Sequence, residues 1–195
     1  MVVASPYLSS SGAEPPSGSN SNERAKPPTA DAFALLGLTP AFDVDAAALE
    51  KAFFERSKEV HPDRFASAPA AERVVALSRS RALNDAYQIL KKPIARAEYL
   101  LAQSGVTIGD NERLDPATLM PILDGRELLS EAIQAKRTAE IEKLQAAMQT
   151  TRAHELELVR AGFARNDLAA VKRSLILLRY IERYLEACDS ALDEE

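Results

Sequence analysis

Cysteine, histidine and glycine are all scarce in this chain, at 1, 2 and 7 of 195 residues. The lone cysteine, Cys188, can close no internal disulfide and cannot by itself assemble a zinc or iron–sulfur site, each of which needs several ligands. A reducing cytoplasm suits such a chain best. His61 and His154 have no metal-ligand spacing to each other or to the cysteine, and no glycine-rich phosphate loop is present. No Ser or Cys stands in a recognisable nucleophile elbow. Catalytic, metal-ligating and cofactor-binding residues are therefore not expected. An uncharged apolar run of about eighteen residues is missing too, which excludes a spanning helix. Residues 1–6 have neither a basic n-region nor a sustained apolar h-region, so they are not read as a secretory signal.

Positive charge is also in short supply. Lys and Arg total 24 against 29 Asp and Glu, giving a net charge of -5 and a pI near 5.3. That removes the general electrostatic reason to bind nucleic acid or an acidic membrane face, and no sizeable basic patch replaces it. The expectation is a soluble protein whose partners include neither nucleic acid nor membrane.

What is present is apolar content, 46% of the chain, enough for one ordinary domain or two small ones. Residues 5–30 are rich in Ser, Pro, Gly and Asn and poor in large apolar side chains, a composition that does not offset the entropy of ordering a backbone. Residues 1–30 are read as a disordered tail. A transit peptide is the competing reading, but Arg24 and Lys26 are its only bases and Glu14 and Glu23 oppose them.

Beyond the tail the apolar residues repeat at helical period and nothing alternates at period two, so the fold class is all-α. A short helix runs from Asp31, an N-cap, to Leu36, with Gly37 placed to end it. Asp43 and Asp45 offer caps to a second helix over 46–60, striped by Leu49, Phe53, Ser57 and Val60. Pro62 stops it, because proline disfavours the α region for His61 and has no amide hydrogen. A third helix over 70–90 places Val75, Ala82, Ala86 and Ile89 on one face, with Leu83 and Leu90 beside it. Two such helices joined by a short loop pack antiparallel, which leaves His61 and Asp63 at an exposed tip.

Pro93 opens a fourth helix to Gln103, where Tyr99, Leu100 and Leu101 are expected to help form an apolar junction. Residues 106–113 have turn composition and mark a boundary. Three helices follow, over 115–135, 139–163 and 167–192, as a bundle. Pro121 and Gly125 predict a kink or a late start in the first of them. The last carries more apolar surface than one stripe needs. Ile176, Leu177, Tyr180, Ile181 and Tyr184 form either an exposed partner patch or a cover for the fourth helix and the junction.

A given His-Pro-Asp tripeptide arises by chance in on the order of one per cent of chains this long. Its surroundings decide its meaning. The run Phe33-x-Leu-Leu-Gly-Leu, the helix ending Val60-His61-Pro62-Asp63-Arg64-Phe65, and Ala82-Leu-Asn84-Asp-Ala86-Tyr87-Gln-x-Leu90 resemble the J-domain of DnaJ-type co-chaperones. The next run, Pro93-Ile-Ala-Arg96-Ala97-Glu98-Tyr99-Leu100-Leu101, and a C-terminal helical bundle carrying Leu119-Met120 are similar to the HscB-type J-proteins of iron–sulfur cluster assembly. The resemblance extends from Asp31 to about Leu192 and implies a J-domain over 31–106 and a scaffold-binding bundle over 107–195.

The resemblance further implies a protein without catalysis of its own. Its J-domain docks on a DnaK-type ATPase, here HscA, through His61, Pro62 and Asp63, with Arg56, Lys58 and Arg64 as local contacts. Its bundle holds the scaffold protein IscU through Leu119, Met120, Leu123, Asp124, Glu127 and Tyr180. Two departures stand out. Lys51, Arg56 and Lys58 are balanced by Glu50, Glu55 and Glu59, so long-range charge steering is weak. Pro121 and Gly125 interrupt what is usually a regular acidic helix. The lack of clustered cysteines fits a presenter rather than a carrier of the cluster, and excludes the cysteine-rich zinc module of some relatives. A J-protein for another client is the alternative, and a hydrolase built on His61 and Asp63 ranks far below both.

Overall fold

Asp31 caps the first helix, α1 (Ala32–Leu36), by accepting the Phe33 N–H, and Gly37 ends it in the left-handed region at φ 68°. A Cβ there would be strained and would lie 3.1 Å from the Arg56 guanidinium. The computed structural model describes residues 31–109 and 112–193, apart from the side chain of Pro62. The tail expectation for residues 1–30 and the turn at Asp110-Asn111 lie outside the described residues. Every regular element among the described residues is helical.

Asp45 caps α2 (Ala46–Val60), its carboxylate accepting the N–H groups of Ala47 and Ala48 at 2.8 and 3.3 Å. Asp43, the other candidate cap, instead pairs with Arg160 at 2.9 Å. The long helix α3 (Ala70–Lys91) packs along α2. Leu49, Leu83, Ala86, Tyr87 and Leu90 enclose Phe33 and Leu36, and the Phe53 ring stacks on Tyr87 at 4.3 Å between centroids. Val75, expected inside, is exposed, and Ala76 is buried in its place. Counting back two turns from Leu83 lands on Ala76, seven residues away, rather than on Val75.

Pro93 opens α4 (Pro93–Gln103), whose faces serve two different cores. Tyr99 looks back to α1, accepting the Ala32 N–H at 2.8 Å and donating to the Asp31 carboxylate at 3.0 Å. It therefore belongs to the first core, and the junction role expected of it falls to Ala97 and Leu101. Arg96 is buried, donating through Nε to the Phe42 carbonyl at 2.7 Å and through Nη1 to the Leu90 carbonyl, left without a helical partner at the end of α3. Burial pulls its guanidinium below the usual range, and nearby Asp43 works in the opposite direction.

The helices α5 (Pro116–Gln134), α6 (Thr138–Ala164) and α7 (Leu168–Asp193) form the C-terminal bundle. Lys136 and Asn166 adopt φ of 51° and 54° at the two turns, and the Arg137 and Asp167 N–H groups return to the Ala132 and Gly162 carbonyls. A Cβ on Gly162 would come within 2.6 Å of Val171, so glycine is what lets α6 and α7 close. Of the kink or late start expected of α5, the late start does not occur. Asp115 caps the helix through the Thr118 N–H at 3.0 Å, and the helix continues through Pro121 to Gln134, with Ile122, Leu129 and Ala132 buried beneath it.

The surplus apolar surface of α7 is covered, but only partly as expected: Leu177, Tyr180 and Ile181 belong to the junction cluster, whereas Tyr184 joins Leu129, Ala132 and Ile141 inside the bundle. Ile176, Ile181 and Tyr184 are buried, and Leu177 and Tyr180 are half-buried. Leu175, Leu178 and Ile181 share one cluster with Ala97 and Leu101 of α4 and with Phe42 from the α1–α2 loop. Phe42 stacks on Phe163 of α6 at 5.7 Å, and Glu98 pairs with Arg179 at 2.8 Å. The J unit and the bundle thus share the apolar cluster at their junction, while each also keeps a core of its own.

Candidate functional site

His61 leaves α2 in an extended conformation, φ −61° and ψ 128°, as a residue before proline should. Pro62–Phe65 then form a 3-10 turn. The His61 Nδ1 accepts the Asp63 N–H at 3.3 Å and lies 3.5 Å from the Asp63 carboxylate. The Arg64 N–H donates to the His61 carbonyl at 3.1 Å, and its guanidinium reaches back to the Lys58 carbonyl at 3.2 Å, near the end of α2. The corner is thus braced by its own backbone and remains open to solvent. The His61 and Asp63 side chains are 57% and 90% exposed.

With Nδ1 accepting, a neutral His61 carries its proton on Nε2, where a partner can meet it. Acid–base catalysis would need a substrate cavity around the pair. The groove nearest the tip, lined by Val60, Phe65 and Val75 together with Glu59, Glu72 and Arg79, includes neither His61 nor Asp63. The arrangement suits polar recognition by another macromolecule.

Of the bases singled out from the sequence, Lys58 and Arg64 flank the tip through their mutual contact. Arg56 does not join them. It lies against Gly37 and pairs with Glu59 at 3.9 Å. Phe54 was missed by the sequence reading: it is 60% exposed on α2, with the Lys58 ammonium 3.9 Å from its ring centroid. The Phe53-Phe54 doublet held the signal, since helical neighbours lie about 100° apart and only one of them can face the core.

On the bundle, Met120 and Leu123 are 50% and 48% exposed on the outer face of α5, opposite the buried Ile122 and Leu129. Asp124 and Glu127 are exposed beside them, and Leu119 is half-buried. Tyr180 packs half-buried on the cluster that holds Ile122. Thr118 and Leu177, neighbours of Leu119 and Tyr180, line one groove of about 290 Å³, which places the start of α5 beside this part of α7. Leu128, also exposed on α5, was not singled out from the sequence. His154 is solvent-exposed on α6, as expected.

Comparison with known proteins bears on both ends. Residues 31–99 match the DnaJ domain model, and residues 114–189 match the model described as the HSCB C-terminal oligomerisation domain. The co-chaperone HscB homologue of Bordetella petrii is 37% identical over 168 residues, spanning 83% of this chain and 95% of the relative. The chain belongs to the HscB family of co-chaperones. The Bordetella avium HscB homologue is 38% identical over 157 residues, covering 78% of this chain and 92% of its own length.

Two solved HscB structures share the fold. That from Vibrio cholerae superposes with a TM-score of 0.77 at 29% identity, covering 85% of this chain and 99% of its own, and human HscB with 0.79 at 27%, covering 84% and 82%. The all-α reading, with a J-domain followed by a helical bundle, holds, as does the likeness to the iron–sulfur-assembly co-chaperones. A J-domain co-chaperone of this family works with an Hsp70-type partner and a client. Among the described residues no helix is long and apolar enough to cross a membrane.

Proposed function

We propose that this HscB-family chain stimulates ATP hydrolysis by a DnaK/HscA-type chaperone and presents to it the scaffold IscU on which iron–sulfur clusters are built. His61, Pro62 and Asp63 engage the ATPase, with Lys58 and Arg64 alongside and Arg56 at greater remove. Residues 31–106 serve that partner. Residues 107–195 hold the scaffold through Leu119, Met120, Leu123, Asp124, Glu127 and Tyr180. The protein acts in the cytoplasm and contributes no catalytic group of its own.

The observation that carries this reading is the braced but exposed His61–Asp63 corner, 57% and 90% open. Backbone order without burial is what a docking contact needs, because the entropy of fixing the loop is met before the partner arrives. The test measures ATP turnover by the cognate chaperone, with and without the scaffold. Stimulation that rises when scaffold is added, and that Asp63→Asn removes, is the expected result. An Asp63→Asn variant as active as wild type would sink the tip mechanism. Titration of the scaffold then decides the client. Binding indifferent to Leu119→Ala and Tyr180→Ala, or no binding at all, would assign the bundle to a different client.

A further inference from the structure

The outer side of α2 holds a feature that a charge count over the helix hides. Lys51, Phe54 and Lys58 fall at spacings of three and four, so they share one stripe, while Leu49, Phe53 and Val60 turn inward or sideways. Glu55 and Glu59 lie to one side of that stripe and Glu50 to the other. The helix is neutral in sum, yet its solvent-facing line reads cation, aromatic, cation. Phe54 is 60% exposed and Lys58 holds its ammonium 3.9 Å from the ring centroid. A solvated phenyl ring contributes nothing to the core, and Phe53 already fills that role against Tyr87. The stripe is continuous with the tip, because Lys58 gives its carbonyl to the guanidinium of Arg64, next to Asp63.

We infer that Phe54 is the apolar anchor by which α2 grips the ATPase, seating its ring in an apolar depression whose rim carries the carboxylates that meet Lys51 and Lys58. This rests on the reading of the tip as the ATPase-docking corner. It also answers a difficulty in that reading: a neutral α2 steers poorly by charge, and an aromatic side chain at the centre of a contact supplies affinity that salt does not screen. A ring already covered by the Lys58 ammonium, with Lys51 one turn back on the same stripe, selects a partner surface that is both apolar and acidic, rather than one that is only acidic.

The experiment titrates full-length protein into the cognate HscA-type ATPase and reads stimulated turnover at low and high salt. Phe54→Ala is expected to raise the concentration for half-maximal stimulation roughly tenfold at both salt levels. Maximal stimulation and the thermal unfolding midpoint should not change, since the ring is not in the core. Phe54→Leu should keep most of the affinity, and Phe54→Lys should recover it at low salt only. A Phe54→Ala variant that titrates like wild type overturns the anchor, and so does a Phe54→Leu variant no better than Phe54→Ala. Asp63→Asn run in parallel separates the two levels. Its failure to reduce stimulation breaks the tip reading, whereas its success beside an inert Phe54→Ala breaks only the anchor.

Discussion

The J tip and the outer face of α5 display their side chains, whereas the junction cluster, to which the inner face of α5 also contributes Ile122, hides its apolar ones. At the tip, Asp63 is 90% exposed, and at the start of α5, Met120 is 50% exposed. At the junction, Ala97, Leu101, Leu175, Leu178 and Ile181 are each fully buried, although they come from helices on both sides of the boundary. A flexible connection would leave no apolar cluster shared across the boundary. Here the first helix of the bundle and the last helix of the J unit share α7 as a common wall, with Phe42 reaching over from the α1–α2 loop. The difference implies that the tip and the outer face of α5, the two surfaces proposed above to meet partners, are held in a fixed relation to each other.

Truncation in the shared wall should do the most damage. Leu178→Ala removes a fully buried side chain from the cluster, and a cost of about 3 kcal/mol in unfolding free energy is expected. Chemical denaturation should show a single transition at lower denaturant. Two separated transitions, one per unit, would break the idea of a common core. Asp63→Asn comes next: with so exposed a carboxylate, stability should move by less than about 0.5 kcal/mol, while stimulation of the ATPase falls roughly a hundredfold. Smaller again is Met120→Ala, expected to weaken scaffold binding by roughly tenfold in calorimetry while leaving ATPase stimulation in the absence of scaffold untouched. If Met120→Ala disturbed both functions equally, the ends would not be separable.

Much of this architecture was legible because punctuation residues act locally. Asp31 through its side-chain carboxylate, and Gly37, Pro62 and Pro93 through their own backbone, each set a helix end, and the structure places those ends where that chemistry puts them. What escaped depends on contacts across long stretches of chain. Asp43 reads as a second cap until Arg160, 117 residues away, is folded against it. Nothing in the sequence marks Arg96 for burial, since arginine is seldom buried, and only the fold brings the Phe42 and Leu90 carbonyls around its guanidinium. Tyr99 faces α1 rather than the bundle, because the hydroxyl finds Asp31 and the Ala32 N–H there. At the functional ends, the tip was visible as a motif with a mechanical cause. The orientation of Phe54 and Arg56 was not, because helical spacing alone gives a face only once the inner residues are known.

The mildest test falls on the ion pair that spans the boundary at the surface. Arg160 holds Asp43 through Nε at 2.9 and 3.0 Å and Glu157 through Nη1, with the Arg160 and Asp43 side chains 48% and 63% exposed. The two carboxylates hold its guanidinium above the usual range, Asp43 contributing more than Glu157. Exposure limits what the pair is worth, since water and salt screen it. The stacking of Phe42 on Phe163 directly beside it fixes the same loop without charge. Arg160→Ala should therefore shift the unfolding midpoint only slightly, and most of that shift should vanish at high salt. A large, salt-independent loss would mean that the charge pair, rather than the apolar wall, sets the angle between the two ends.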